Sequence, residues 1–346
     1  MSHDEPQNRT AIGGKGLWRI MALLAVIAII GFGWNWTWQA ASTKLESVAN
    51  SRISEWSDKG TEITCANRSI IGYPFRIGFH CDRLSVFSTT NQLKLDAGEF
   101  RSAAQFYKPG HAIAELDGPL NAETLAGGKV SGNWDNLKAS LVVGIGGWKR
   151  ISLEARSVTG NGILADANPI GMYADDFQLH ARMPEEQSRA NGLDIAASAA
   201  NLNLDGLQKV PALDLVINLG LEQIGAEARP GFNLGKYLRQ HGLSGEAREV
   251  AIMPKAGGRL AFAGPFEISA EGLLSGRLTV EITDTARLLA FAASAGGNEG
   301  WLAQAGQIIS MIPQSSDAGA RRITLNIQDG VVSAGFFKLG EIPRLF

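Results

Sequence analysis

Cys65 and Cys81 flank the stretch "RSIIGYPFRIGFH", and their spacing decides what chemistry is open to them. Redox-active pairs use the short Cys-x-x-Cys spacing, which is absent here. Zinc needs about four ligands, and His80 points to the opposite strand face from its neighbour Cys81. The midpoint of 65 and 81 is Tyr73, inside the Gly-Tyr-Pro-Phe corner. A hairpin folded there sets the two cysteines directly opposite, at about 4.5–5.5 Å between Cα atoms, within disulfide range. The expectation is a structural disulfide between Cys65 and Cys81, with no metal and no cofactor.

The other reactive residue types do not assemble into a motif. His3, His80, His111, His180 and His241 are scattered, without a His-Glu-x-x-His pair. Gly-x-Ser-x-Gly and Ser-x-x-Lys, the commonest serine-nucleophile signatures, are missing. "VGIGGWKR" (143–150) lacks both the dinucleotide and the phosphate-loop spacing and reads as a turn. Asp175-Asp176 and Glu185-Glu186 are adjacent carboxylates that point to opposite strand faces or to water. A glycosidase pair would be distant in the chain and leaves no local mark. The reading is therefore non-enzymatic, with a hydrolase of dispersed acids as the minor alternative. Tyr73, Phe75, Phe79 and Phe266 are the candidate lining residues for an apolar ligand; each taken singly also suits an ordinary core.

The elements that must position these residues begin with an apolar run. Leu17 to Ala40 contains no acidic residue, and its one charge, Arg19, lies at the entry end. Ile20 to Trp38 reaches the roughly 20 residues a spanning helix needs. Trp18 at one end and Trp34, Trp36 and Trp38 at the other match the aromatic belts of membrane interfaces. Arg9, Lys15 and Arg19 precede the run, so the positive-inside rule keeps the N-terminus cytoplasmic. The expected organisation is a cytoplasmic tail at 1–16, a transmembrane signal anchor at 17–40, a helical stalk at 41–58 and a periplasmic β-rich domain at 59–346. A cleaved signal peptide ending at Ala40-Ala41-Ser42 is the alternative. The aromatic cluster just before that site favours a retained anchor. A net charge of −2 gives no footprint for nucleic acid.

Beyond the stalk, period-two alternation dominates: Ile77, Phe79, Cys81; Leu213, Leu215, Ile217, Leu219; Leu278, Val280, Ile282; Ile323, Leu325, Ile327. That pattern belongs to antiparallel sheet with one buried and one solvated face. Turns are expected at Asp117-Gly118, Asp205-Gly206 and Asp329-Gly330. Two helices are expected near the C-terminus. The first is capped by Thr283 or Asp284 and stopped at Gly296-Gly297; the second ends at Pro313. The fold class is mainly β: a curved antiparallel sheet, or a sandwich or trough, behind the N-terminal helix. Alanine- and glycine-rich inward positions suit a shallow, open face, on which Leu215 and Val280 point inward.

The anchor, the "GYPFRIGFHCD" block, "LDGPL" (116–120) and the closing "LNIQDGVVSAGFFKLGEIPRLF" resemble the domain of unknown function 2125 family of alphaproteobacterial envelope proteins. That family has no assigned catalytic residues to carry over. The order of "GLLSGRLTVEITDTARLLAFA", a second helix and "ITLNIQDGVVSAG" is more weakly similar to the AsmA-like proteins. Those are anchored in the inner membrane, β-rich and implicated in lipid traffic. The expected function is a membrane-anchored envelope protein binding lipid or another apolar ligand, with an interaction scaffold as the second reading.

Overall fold

The computed structural model describes residues 14–90, 92–124, 127–163, 169–185, 191–205, 210–225, 227, 232–314 and 319–346. His3, Arg9, Glu186 and Gly206 of the expectations above lie outside these residues. The chain enters through α1, Gly14–Asp58, one uninterrupted helix of 45 residues. At 1.5 Å per residue it is about 67 Å long. The segments expected as anchor and stalk are one continuous helix, because no proline or glycine follows Gly33 until Gly60. From Leu17 to Phe32 its large apolar side chains are exposed.

The strands are β1 (Thr61–Ala66), β2 (Ser69–Ile71), β3 (Arg76–Cys81), β4 (Arg83–Ser88), β5 (Leu93–Ala97), β6 (Phe100–Gln105), β7 (Lys108–Leu116) and β8 (Leu120–Thr124). Longer ones follow: β9 (Lys129–Gly144), β10 (Gly147–Ile163), β11 (Ile170–Arg182), β12 (Leu193–Asp205) and β13 (Val210–Leu221). After a short helix α2 (Leu234–His241) come β14 (Leu243–Pro254), β15 (Arg259–Ile268) and β16 (Leu274–Thr283). Helices α3 (Thr285–Ser294) and α4 (Glu299–Met311) then precede β17 (Arg321–Gln328), β18 (Val331–Ala334) and β19 (Phe337–Glu341). All the strands belong to a single antiparallel sheet.

Its connectivity is simpler than the strand count suggests. β1 with β2, β3 with β4, β5 with β6 and β7 with β8 are four ribbons, each interrupted near its middle. β2 pairs with β3 and β1 with β4, β4 with β5 and β3 with β6, β6 with β7 and β5 with β8. β7 and β8 then share one edge of β9, and each later strand pairs with the next. The molecule is a sequential meander, so alternate turns emerge at the same rim.

The interruptions line up as a crease. Asp82 N–H donates to the Ala66 carbonyl (3.0 Å), Gly98 N–H to the Asp117 carbonyl (3.1 Å) and Asp117 N–H to the Glu99 carbonyl (2.9 Å). The line continues through bulges at Asn136, Ser157 and Asn201, all with positive φ. Such bulges bend a strand and sharpen its twist. Asp117-Gly118, expected to be a turn, is one of these corners: Pro119 cannot donate to a ladder, yet the chain runs on into β8. Gly98 is required there, since a Cβ would sit 2.7 Å from the Asp117 carbonyl oxygen. Asp329-Gly330 is the expected hairpin turn, both residues having positive φ.

Residues paired across neighbouring strands share a face. One row runs Leu141, Ile151, Ala181, Ile195, Leu219, Ala247; the next runs Ala139, Leu153, Leu179, Ala197, Ile217, Val250, Phe262, Val280, Ile323. The opposite face carries Glu154, Gln178, Ser198, Val216, Ala251, Ala261, Glu281 and Arg322. The sheet is therefore apolar on one side and largely polar on the other, and Leu215 and Val280 both belong to the apolar side. Among the described residues one cluster of buried apolar side chains lies at one end of that side. Leu193, Leu221 and Ile224 pack there with Phe232, Tyr237 of α2 and Phe266. The sequence reading missed α2, although Asn233 caps it through Lys236 N–H (2.9 Å) and Gly242 ends it at φ 70°. α3 starts at its cap Asp284 as expected.

Candidate functional site

The Gly-Tyr-Pro-Phe corner is the turn between β2 and β3, and it docks on α1. Trp34 Nε1–H donates to the Pro74 carbonyl and Trp38 Nε1–H to the Arg76 carbonyl, both at 2.9 Å. Trp38 meets Tyr73 edge-on at 5.2 Å, and Trp34 meets Phe106 edge-on at 5.3 Å and Phe75 at 6.3 Å. One face of the helix keeps contact further along, where Arg68 donates to Asn50 Oδ1 (2.6 Å). The edge formed by β1 and β2 thus lies against a helix, which is how an unpaired strand edge is protected.

Cys65 and Cys81 are joined, with Cα atoms 5.3 Å apart. The register that suggested the bond is different, however. The hairpin pairs Ile71 with Gly78 and Ser69 with His80, while Cys65 belongs to β1 and lies opposite Leu84 of β4. The reason is that the hairpin reverses between Pro74 and Phe75 rather than at Tyr73, and this register runs unchanged past the break at Asn67 and Arg68. The bond is not a rung within one hairpin; it ties β1 on one side of the crease to β3 on the other. Gly78 allows the close packing beside it, because a Cβ there would run into the Ser102 carbonyl.

The four candidate lining aromatics do not form one site. Tyr73 and Phe75 are exposed in the docked corner, Phe79 is half-buried on β3 opposite Ile70, and Phe266 joins the Leu193 cluster. What the tertiary pairing does bring together is the apolar face. Leu141, Ile151 and Leu179 sit on three adjacent strands and are 38, 41 and 37% exposed. Among the described residues no large side chain is completely buried. This face is open over β9 to β11.

Two large cavities among the described residues open on the polar face. One, of about 790 Å³, is lined by Lys149, Arg150, Arg182, Asp194 and Arg248. Its buried Asp194 accepts from Arg248 Nη2 (2.7 Å) and Arg182 Nε (3.2 Å). The other, of about 670 Å³, includes His111, Ser140, Glu154 and His180. His111 Nε2 lies 3.1 Å from Ser140 Oγ. Ser140 sits inside β9, between the ladders to β7 and β10, rather than on a turn that presents N–H groups to an oxyanion. Sequence reasoning missed these groups, since they meet only through strand register. Among the described residues no three His, Cys, Asp or Glu side chains gather to hold a metal.

At the crease, Arg101 holds Asp117 with two parallel bonds (3.0 and 2.8 Å) and Glu99 at 2.8 Å. His80 Nε2 lies 3.0 Å from the same Glu99 oxygen. The Arg101 hydrogen bond holds the Glu99 carboxyl below its ordinary range, slight burial opposes this, and His80 adds to the lowering. This cluster lies at the bend of the first ribbons.

No curated protein and no solved structure matches the chain. The profile of one family does, over residues 38–343, and its description is an uncharacterized protein conserved in bacteria. With the match running from Trp38 through the sheet almost to the end, the chain belongs to the DUF2125 family.

Proposed function

We propose that this chain is a single-pass, non-enzymatic envelope protein that holds a lipid or another apolar ligand against the apolar face of its sheet. In this reading α1 anchors it in the bacterial inner membrane and residues 59–346 are periplasmic. Among the described residues one helix, α1, is long and apolar enough to cross a membrane. The observation that carries the ligand reading is the open row of Leu141, Ile151 and Leu179 beside half-buried Ala181, Ile195 and Leu153. A contiguous apolar surface left uncovered on a soluble domain marks an interaction site. For a tethered domain the nearest apolar partner is lipid.

The test is saturable binding of a fluorescent fatty-acid analogue to the detergent-extracted full chain. Ile151→Asp and Leu179→Asp change exposed positions, so the fold is expected to survive while binding weakens several-fold. Val280→Asp is a poor probe, since Val280 is 4% exposed and a buried unpaired charge unfolds the sheet. A parent protein that binds nothing, or Asp variants that bind as well as the parent, would falsify the reading.

A second reading rests on β19. All its residues are exposed, Phe337 at 76%, and among the described residues it pairs only with β18. A free edge is a template for an added strand, which suits a scaffold that assembles envelope complexes. Photo-crosslinking from Phe337 in cells decides it: no protein adduct removes the scaffold.

A further inference from the structure

We propose that the rim of the sheet next to α1 rests on the bilayer, with the tips of three consecutive hairpins dipping into the headgroup layer. The proposal builds on the anchor reading above and names a second membrane contact, made by the sheet itself. The tips in question are Tyr73 to Phe75 between β2 and β3, Phe106 and Tyr107 between β6 and β7, and Ile145 and Gly146 between β9 and β10.

The meander sends these alternate turns to one rim, and they are neighbours in space. Phe106 N–H donates to the Phe75 carbonyl at 3.0 Å. A Cβ on Gly110, at the start of β7, would lie 3.1 Å from the Val143 carbonyl oxygen at the end of β9. Strands about 4.8 Å apart put successive tips of this rim about 10 Å from one another.

Their height is fixed by α1. Trp34 and Trp38 lie at the end of the apolar run, where tryptophan marks the interface; Trp34 bonds to Pro74 of the first tip, and Trp38 bonds to Arg76 beside it and packs on Tyr73. Trp34 also packs on Phe106 of the second. The first two tips therefore stand level with the membrane exit of the helix.

Their composition fits that depth. Tyr73 is 53% exposed, Phe75 63%, Tyr107 65% and Ile145 fully exposed, an expense that an aqueous surface gives no reason to bear. Arg76, Lys108, Lys149 and Arg150 follow the tips and are exposed, while 72–76, 105–110 and 144–150 contain no carboxylate. Aromatic side chains flanked by basic ones suit an interface with anionic headgroups. The partner is thus a lipid surface.

The test uses the full chain in vesicles of phosphatidylethanolamine and phosphatidylglycerol, some lipids carrying a nitroxide near the headgroup end of the acyl chain. An environment-sensitive fluorophore is placed singly at Tyr107→Cys, Ile145→Cys, Phe32→Cys in the anchor, or Ala256→Cys in the β14–β15 turn at the far rim. The disulfide-bonded cysteines do not react. The expected result is a blue shift and loss of emission at positions 32, 107 and 145, and neither at 256. Quenching at 32 with none at 107 and 145 overturns the rim contact and leaves the anchor standing. No quenching at 32 removes the anchor, and the rim contact with it. Quenching at 256 as strong as at 107 also overturns the proposal, because the domain would then lie flat.

Discussion

Arg101 is where the charges at the crease converge. It gathers Glu99, Glu115 and Asp117 from the two sides of one corner, and Glu99 in turn meets His80. The group is about one-third exposed, so water and salt screen it. Arg101→Met is expected to cost about 1 kcal/mol, the upper end for exposed pairs because the Asp117 contact is bidentate. Glu99 sets the pH dependence. Its folded carboxyl lies below the ordinary range, so the unfolded chain binds its proton first as pH falls. The associated stability is complete above the ordinary carboxylate pKa and is lost as pH drops through the depressed one. Thermal melts of the detergent-solubilised chain between neutral and acid pH should show Arg101→Met losing less stability on acidification than the parent. Equal slopes would assign the bend to backbone alone.

At the scale of elements, the disulfide is the informative contact. Cys65 and Cys81 belong to ribbon halves on opposite sides of the crease, so the bond limits how far the first ribbons can open. Closing a loop of this size is worth about 3 kcal/mol in the chain-entropy model. Peptide mapping without reduction should recover one linked pair, and Cys65→Ser with Cys81→Ser should lower the melting temperature while leaving ligand binding intact. Free alkylation of both thiols in the native protein would contradict the pairing. Much of this region was legible in the sequence. The corner and the two strands beside it follow from Gly72 to Phe75 and the alternation around them, and the expected bond is present without the opposed pairing that argued for it. The register did not follow, because alternation alone does not say where within Gly-Tyr-Pro-Phe the chain reverses, and it reverses between Pro74 and Phe75 rather than at Tyr73.

For the whole molecule, one sheet carries two unlike faces and is held at one edge by a helix continuous with the N-terminal apolar run. If that segment is an anchor with the N-terminus inside, everything after about Ala41 lies outside the cytoplasm. A reporter that works only in the periplasm, fused after Phe346, should be active, and the membrane fraction should contain the full-length mass. Activity of a cytoplasm-only reporter at the same place reverses the orientation, and loss of the first forty or so residues from the mass makes α1 a cleaved signal.

The sequence by itself determined what is written in local periods and flanks. These are the apolar helix with its tryptophan ends, the antiparallel strands, the cap at Asp284 and the absence of motif spacing around the histidines. Hydrophobic period and capping act over a few residues, so a linear reading reaches them. The tertiary structure decided that four pairs of short strands are four creased ribbons and that Tyr73 and Phe75 meet α1, far from Phe266. It also decided that Arg150, Arg182 and Arg248 surround Asp194 on the polar face. Each of these depends on which residue lies opposite which across strands, and a one-residue slip in register exchanges the two faces of a sheet. Register is fixed by bulges, corners and the helix at the edge acting together, over distances no sequence window contains.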